Sequence, residues 1–108
     1  MKKKEWTLED GLYMRKGWTF GDAVKFLKSI MPLLKKAGYE AQLVGSVINK
    51  GYSEKDLDIL LTPTREDFNF ELIMEKLPGD FTMDMETYEH WTEDGRLVDF
   101  HFEKEVNR

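Results

Sequence analysis

At 108 residues the chain falls at the modal domain size, with material for one buried core and too little for two, so a single domain is expected over 1–108. It has no cysteine and two histidines, His90 and His101, which excludes disulfides, thiolate metal sites and an ordinary structural zinc centre and leaves mainly oxygen ligands for any metal. No run approaches the about 20 apolar residues of a membrane span, and Lys2-Lys3-Lys4 is not followed by an apolar signal core, so a cytoplasmic protein without membrane partners is expected.

The net charge of -5 is unevenly spread: residues 1–54 carry ten Lys/Arg against six Asp/Glu, and residues 55–108 carry six against fifteen. A broad acidic surface argues against non-specific binding to a nucleic-acid backbone, which depends on many Lys and Arg contacts to phosphate. Small anionic ligands stay compatible with it if a metal bridges them. For most of the charged side chains, solubility is a sufficient reason.

Residues 1–17 read as an extension with scattered aromatics, Trp6 and Tyr13, leading to Trp18; packing over the core is the expected role, base stacking the other. The core is expected over 18–102. Phe20, Val24, Leu27, Ile30, Met31 and Leu34 recur with the helical period, Thr19 and Asp22 supply an N-cap, and Gly38 a stop, predicting a helix over Thr19–Ala37. Pro32 removes a backbone donor and is expected to kink that helix or break it in two.

Tyr39–Val44 and Leu57–Thr62 read as short buried strands, and a second helix is predicted over about Glu66–Leu77, between Pro63-Thr64 and Pro78-Gly79. Phe81, Met83 and Met85 alternate with polar residues, and Asp94-Gly95 is a dipeptide favoured in tight hairpins, so the chain is expected to close on an antiparallel sheet. A two-residue loop there would pair Glu93 with Arg96, Trp91 with Val98 and His90 with Asp99, placing His90 beside that aspartate.

Asp56 and Asp58 stand at i and i+2 of a strand, so both face one side while Leu57, Ile59 and Leu61 face the other. Val98-Asp99-Phe100-His101-Phe102 repeats the pattern, and Asp99 is expected to join the first two carboxylates. Three carboxylates brought together repel one another unless one is protonated or a cation binds, and such hard ligands suit Mg²⁺ or Mn²⁺. An EF-hand is excluded, because Leu60 stands where a third oxygen ligand is needed and no glycine follows it. Before the pair, Val44 runs into Gly45-Ser46, where glycine allows close approach of a ligand and serine offers a hydroxyl and an amide. Lys50, Lys55 and Arg65 lie near this pocket in sequence as candidate partners of a phosphate chain, although each taken singly is more simply a solvated cation.

The string Val44-Gly45-Ser46, nine residues, then Asp56-Leu57-Asp58-Ile59, followed by a distant hydrophobic-Asp-hydrophobic strand, resembles the signature of the DNA polymerase beta-like nucleotidyltransferase superfamily. The resemblance covers roughly Gly38–Phe102. It implies a small α/β (α+β) fold with a mixed or antiparallel sheet flanked by helices, nucleotide phosphates held by Gly45 and Ser46, metals bound by Asp56 and Asp58, and Asp99 completing the site and helping to activate an acceptor hydroxyl. It implies a nucleoside triphosphate partner, ATP favoured, with Mg²⁺ or Mn²⁺, and a protein or RNA acceptor. Larger members add an acceptor-binding domain, so the chain looks like a minimal stand-alone version. Minimal antitoxin-type members often carry an arginine soon after Gly-Ser; here Lys50 stands nearest. The second reading is an antitoxin-like or regulatory module that keeps the fold and acts by contacting a partner.

Overall fold

In a computed structural model the described residues are 17–84 and 87–103; the predicted extension up to Lys16, with Trp6 and Tyr13, lies outside them, as does Met85. The first described element is a two-residue strand, β1 (Trp18–Thr19), which leads directly into α1 (Phe20–Ala37). Thr19 caps that helix, its hydroxyl accepting the Asp22 N–H at 3.0 Å. Gly38 ends it in the left-handed region at φ 95°, its N–H reaching back to the last carbonyls. The helix passes through Pro32 without a break, so two separate helices do not form. Pro32 faces solvent while Ile30 and Leu34 are buried, so its ring displaces nothing in the core.

The chain continues through β2 (Tyr39–Val44), a short helix α2 (Ser46–Lys50), β3 (Tyr52–Ser53), β4 (Asp56–Pro63), α3 (Phe70–Lys76), β5 (Asp80–Asp84), β6 (Thr87–Trp91) and β7 (Leu97–Phe102). β2, β4, β7, β6 and β5 lie side by side in that order in a five-stranded sheet, and β1 pairs with β3 in a separate ribbon. β4 and β7 run parallel, and every other neighbouring pair in the sheet is antiparallel. The architecture is therefore α+β, a mixed sheet flanked by helices.

Burial alternates residue by residue along β4, with Leu57, Ile59 and Leu61 fully buried. They meet Ile30 and Leu34 of α1, Ile73 of α3, and Val98 and Phe100 of β7 in one apolar cluster. Phe70 opens α3 and packs edge-on against Phe81, Phe100 and Phe102, tying the helix to the far half of the sheet. α1 and α3 thus cover one face, and the polar positions of β4 and β7 are turned to the other.

α3 begins at Phe70, four residues after the predicted Glu66. Asn69 is the cap, its side chain accepting the Glu71 N–H at 3.0 Å, and its own N–H is held by the Ala37 carbonyl at 2.8 Å. Phe68 is drawn out of any helix onto the Tyr39 ring, 5.7 Å between centroids. A tertiary contact thus sets a start that helical periodicity alone places too early.

The hairpin differs from expectation by one residue. Its loop is Glu93-Asp94-Gly95: Thr92 N–H bonds the Arg96 carbonyl at 2.9 Å, and Gly95 N–H bonds the Thr92 carbonyl at 3.0 Å. Gly95 takes φ 87°, as a three-residue loop with a bulge requires. Trp91 therefore pairs with Leu97 and His90 with Val98. A one-residue slip exchanges the two faces of a strand. His90 consequently enters the core, fully buried with its ring 4.4 Å from that of Phe81, and does not border Asp99.

Candidate active site

The parallel pairing of β4 with β7 sets Asp58 directly opposite Asp99. Asp56 precedes Asp58 by two residues and projects from the same face, and its carboxyl lies within hydrogen-bonding reach of Asp99. His101, two residues beyond Asp99, reaches Asp58: its Nε2 lies 2.9 Å from Asp58 Oδ1. The other ring nitrogen, Nδ1, is 3.4 Å from the Thr87 hydroxyl. Asp58 is thereby oriented by an imidazole that is itself held from β6. One donor atom each from Asp58, Asp99 and His101 falls within 4.8 Å of the others.

This gathering is electrostatically costly. Burial pushes the Asp58 carboxyl above the ordinary carboxylate range and the Asp56 charge adds to it, against the opposing His101 hydrogen bond. Asp99 is pushed up to about 8, first by burial, then by the hydrogen bond and charge of Asp56, then by Asp58 and Glu89. Oδ1 of Asp99 is buried without a hydrogen-bond partner among the described residues. In the metal-free protein Asp99 therefore carries a proton at neutral pH. A divalent cation would remove the repulsion and satisfy the orphaned oxygen, so these side chains fit one.

Gly45 closes the site from β2. Its backbone, at φ 77°, passes so close to the carboxylate that a Cβ there would lie 2.5 Å from Asp58 Oδ2. Only glycine accommodates both the dihedral angle and the approach. Ser46 opens α2 and lines a cleft of about 220 Å³ together with Lys50, Lys55, Tyr52 and Asp56. The residues singled out in sequence thus come together as two adjoining groups, Asp56, Asp58 and Asp99 on the sheet, and Gly45, Ser46, Lys50 and Lys55 around its edge, with Asp56 common to both.

Arg65 does not join them. It follows the far end of β4, beyond seven residue steps of about 3.3 Å from Asp56 to Pro63. There it donates to the Lys35 and Lys36 carbonyls at 3.2 and 2.8 Å and pairs with Asp67, closing the C-terminus of α1. Three neighbours escaped the sequence reading. Glu89 stands opposite Asp99, and Thr87 touches His101; both were legible as the outward positions of β6 once the loop is given three residues. Tyr52 is signalled only by its place between Gly51 and Lys55.

Trp18 packs rather than stacks on a ligand. It is 4% exposed, its Nε1 donates to the Leu97 carbonyl at 3.0 Å, and the Arg96 guanidinium lies 4.8 Å over its ring.

No family model and no curated protein matches the chain. Among solved structures, one of a CCA-adding enzyme in complex with CTP is similar to it at 18% identity and a TM-score of 0.48, over 82% of this chain and 24% of that one. The chain spans about a quarter of that protein's length. Among the described residues no helix is long and apolar enough to cross a membrane.

Proposed function

We propose that the chain is a divalent-metal-dependent nucleotidyltransferase of the polymerase beta-like superfamily, moving a nucleoside monophosphate from a nucleoside triphosphate, ATP favoured, to a hydroxyl acceptor of protein or RNA. The observation that carries this reading is the alignment of Asp58 with Asp99 across two parallel strands, with Gly45 pressed against the Asp58 carboxylate. Asp56, Asp58 and Asp99 are the residues that would hold Mg²⁺ or Mn²⁺. When bound, the metal offsets the phosphate charge and makes the attacking hydroxyl more acidic.

The residues divide the work. His101 fixes the orientation of Asp58 through the 2.9 Å contact, as an outer partner does for a ligating carboxylate. Ser46 offers a hydroxyl and an amide to the phosphates, and Lys50 and Lys55 line the same cleft with positive charge. The acceptor oxygen attacks the α-phosphorus in line, the bond to the oxygen bridging α- and β-phosphorus breaks, and pyrophosphate leaves. Asp99, ionised in the loaded site, takes the acceptor proton. A cleft of about 220 Å³ is below the about 300–1,000 Å³ of drug-sized sites and suits a phosphate chain better than a whole nucleotide.

Pyrophosphate release from ATP with Mg²⁺ and a mixed RNA and protein acceptor fraction tests the assignment. Asp56→Asn and Asp58→Asn should each lose activity by at least about 100-fold with an unchanged circular dichroism spectrum. Normal turnover by either variant would sink this mechanism.

A further inference from the structure

We infer that Tyr52 is the platform on which the nucleobase of the bound triphosphate stacks, and that stacking makes the site prefer purine over pyrimidine nucleotides. The inference rests on the triphosphate reading above and adds a base subsite to it.

β3 pairs with β1, Tyr52 opposite Thr19 and Ser53 opposite Trp18. Ser53 is 7% exposed, so strand alternation turns Tyr52 outward, and its side chain is left 45% exposed. Among the described residues Tyr39 and Tyr88 sit in clusters of rings, while Tyr52 is in no ring contact.

The phenol lines the cleft that also contains Ser46, Lys50, Lys55 and Asp56. Beside it the chain turns at Gly51, where an added Cβ would meet nothing within 4 Å among the described residues. The flat phenol thus adjoins two lysines, Lys50 and Lys55, set among two carboxylates, Glu54 and the Asp56 of the proposed metal set. A nucleoside triphosphate has the same sequence of parts: planar base, polyanion, and the metal it carries. The about 220 Å³ of the cleft takes up the phosphates, which leaves the base to the open surface that Tyr52 presents. Stacking on an aromatic face tolerates any base and strengthens with its area.

Calorimetric titration of the wild type, Tyr52→Phe and Tyr52→Ala with Mg²⁺ and three probes separates the subsites: a non-hydrolysable ATP analogue, the corresponding CTP analogue, and inorganic tripolyphosphate. The wild type should bind the ATP analogue more tightly than the CTP analogue. Tyr52→Ala should weaken the ATP analogue about 10-fold and leave tripolyphosphate unchanged, with Tyr52→Phe close to wild type. If Tyr52→Ala binds the ATP analogue as well as wild type does, or weakens tripolyphosphate equally, the platform is wrong and the phosphate site stands. Equal affinity of the wild type for the two analogues overturns the purine preference. Failure of tripolyphosphate to bind the wild type overturns the triphosphate site itself, and the platform with it.

Discussion

Asp99 and His90 depart from ordinary titration in opposite senses, and each gives the protein a pH dependence. His90 is neutral in the fold because burial holds it down at about 4 against the pull of Asp80. An unfolded histidine takes its proton near 6.5, so the unfolded chain binds the extra proton between the two values. The stability contributed by a neutral His90 is complete above about 6.5 and is lost as pH falls towards 4, by about 3 kcal/mol. Asp99 works the other way. Its folded value of about 8 exceeds the unfolded 3.8, so its contribution is complete below 3.8 and is lost as pH rises to about 8. Urea unfolding of the metal-free protein should therefore show stability declining from pH 6.5 to 8, a decline that Asp99→Asn removes; between about 4 and 6.5 the two groups oppose each other, so the wild type stays nearly level while Asp99→Asn loses stability on acidification and His90→Gln gains it. A decline between pH 6.5 and 8 that persists in Asp99→Asn would contradict the protonated Asp99. Gly45 supplies a third test at this scale. Gly45→Ala must accept a positive φ and displace the Asp58 carboxylate, so it should cost about 1–3 kcal/mol in urea unfolding and weaken Mg²⁺ binding.

Among the elements, α1 carries the clearest stability prediction. Pro32 lies inside the helix with its side chain in solvent, so it withholds a hydrogen bond from the Lys28 carbonyl without contributing to the core. Pro32→Ala should raise the midpoint of thermal unfolding by an amount equivalent to about 1–3 kcal/mol; an unchanged or lower midpoint would mean that the proline is accommodated at no cost. The elements also differ in how far they were legible in sequence. α1 has a cap at Thr19, a stop at Gly38 and a regular apolar face between them, all local signals, and its bounds were readable. β4 was equally plain because Asp56 to Leu61 alternates without interruption. α3 and the β6–β7 hairpin were not, since their bounds depend on partners distant in sequence or on a choice local chemistry leaves open. Asn69 caps α3 because Phe68 is held by Tyr39, and Asp94-Gly95 serves a three-residue loop as readily as a two-residue one. That single residue decides whether Asp99 faces His90 or Glu89. The convergence of the carboxylates is independent of that register, because it depends on β4 and β7, whose alternation is clear, and not on β6.

At the scale of the molecule the sheet separates two requirements. One face is given to α1 and α3 and holds the apolar cluster from Trp18 to Phe100. The other carries Asp56, Asp58, Asp99, Glu89 and His101, an acidic surface that charge counting already located in the second half of the chain. The parallel step between β4 and β7 is what brings the carboxylates together, and it requires the chain to leave the sheet through α3 and return by way of β5 and β6. Sequence spacing conveys the residue types at such a site, whereas their convergence is a property of the topology. On this reading the acidic face binds a metal and a triphosphate together. Joint binding is tested most directly by the melting temperature of the purified protein with Mg²⁺ alone and with Mg²⁺ plus each of the four ribonucleoside triphosphates, in parallel with Asp58→Asn. Ligand at about 100 times its dissociation constant adds ~2.7 kcal/mol, so the wild type should melt at least several degrees higher with its preferred triphosphate while Asp58→Asn does not move. No shift with any triphosphate, or an equal shift in Asp58→Asn, would overturn joint binding at these carboxylates and favour a module that acts by contacting a partner chain.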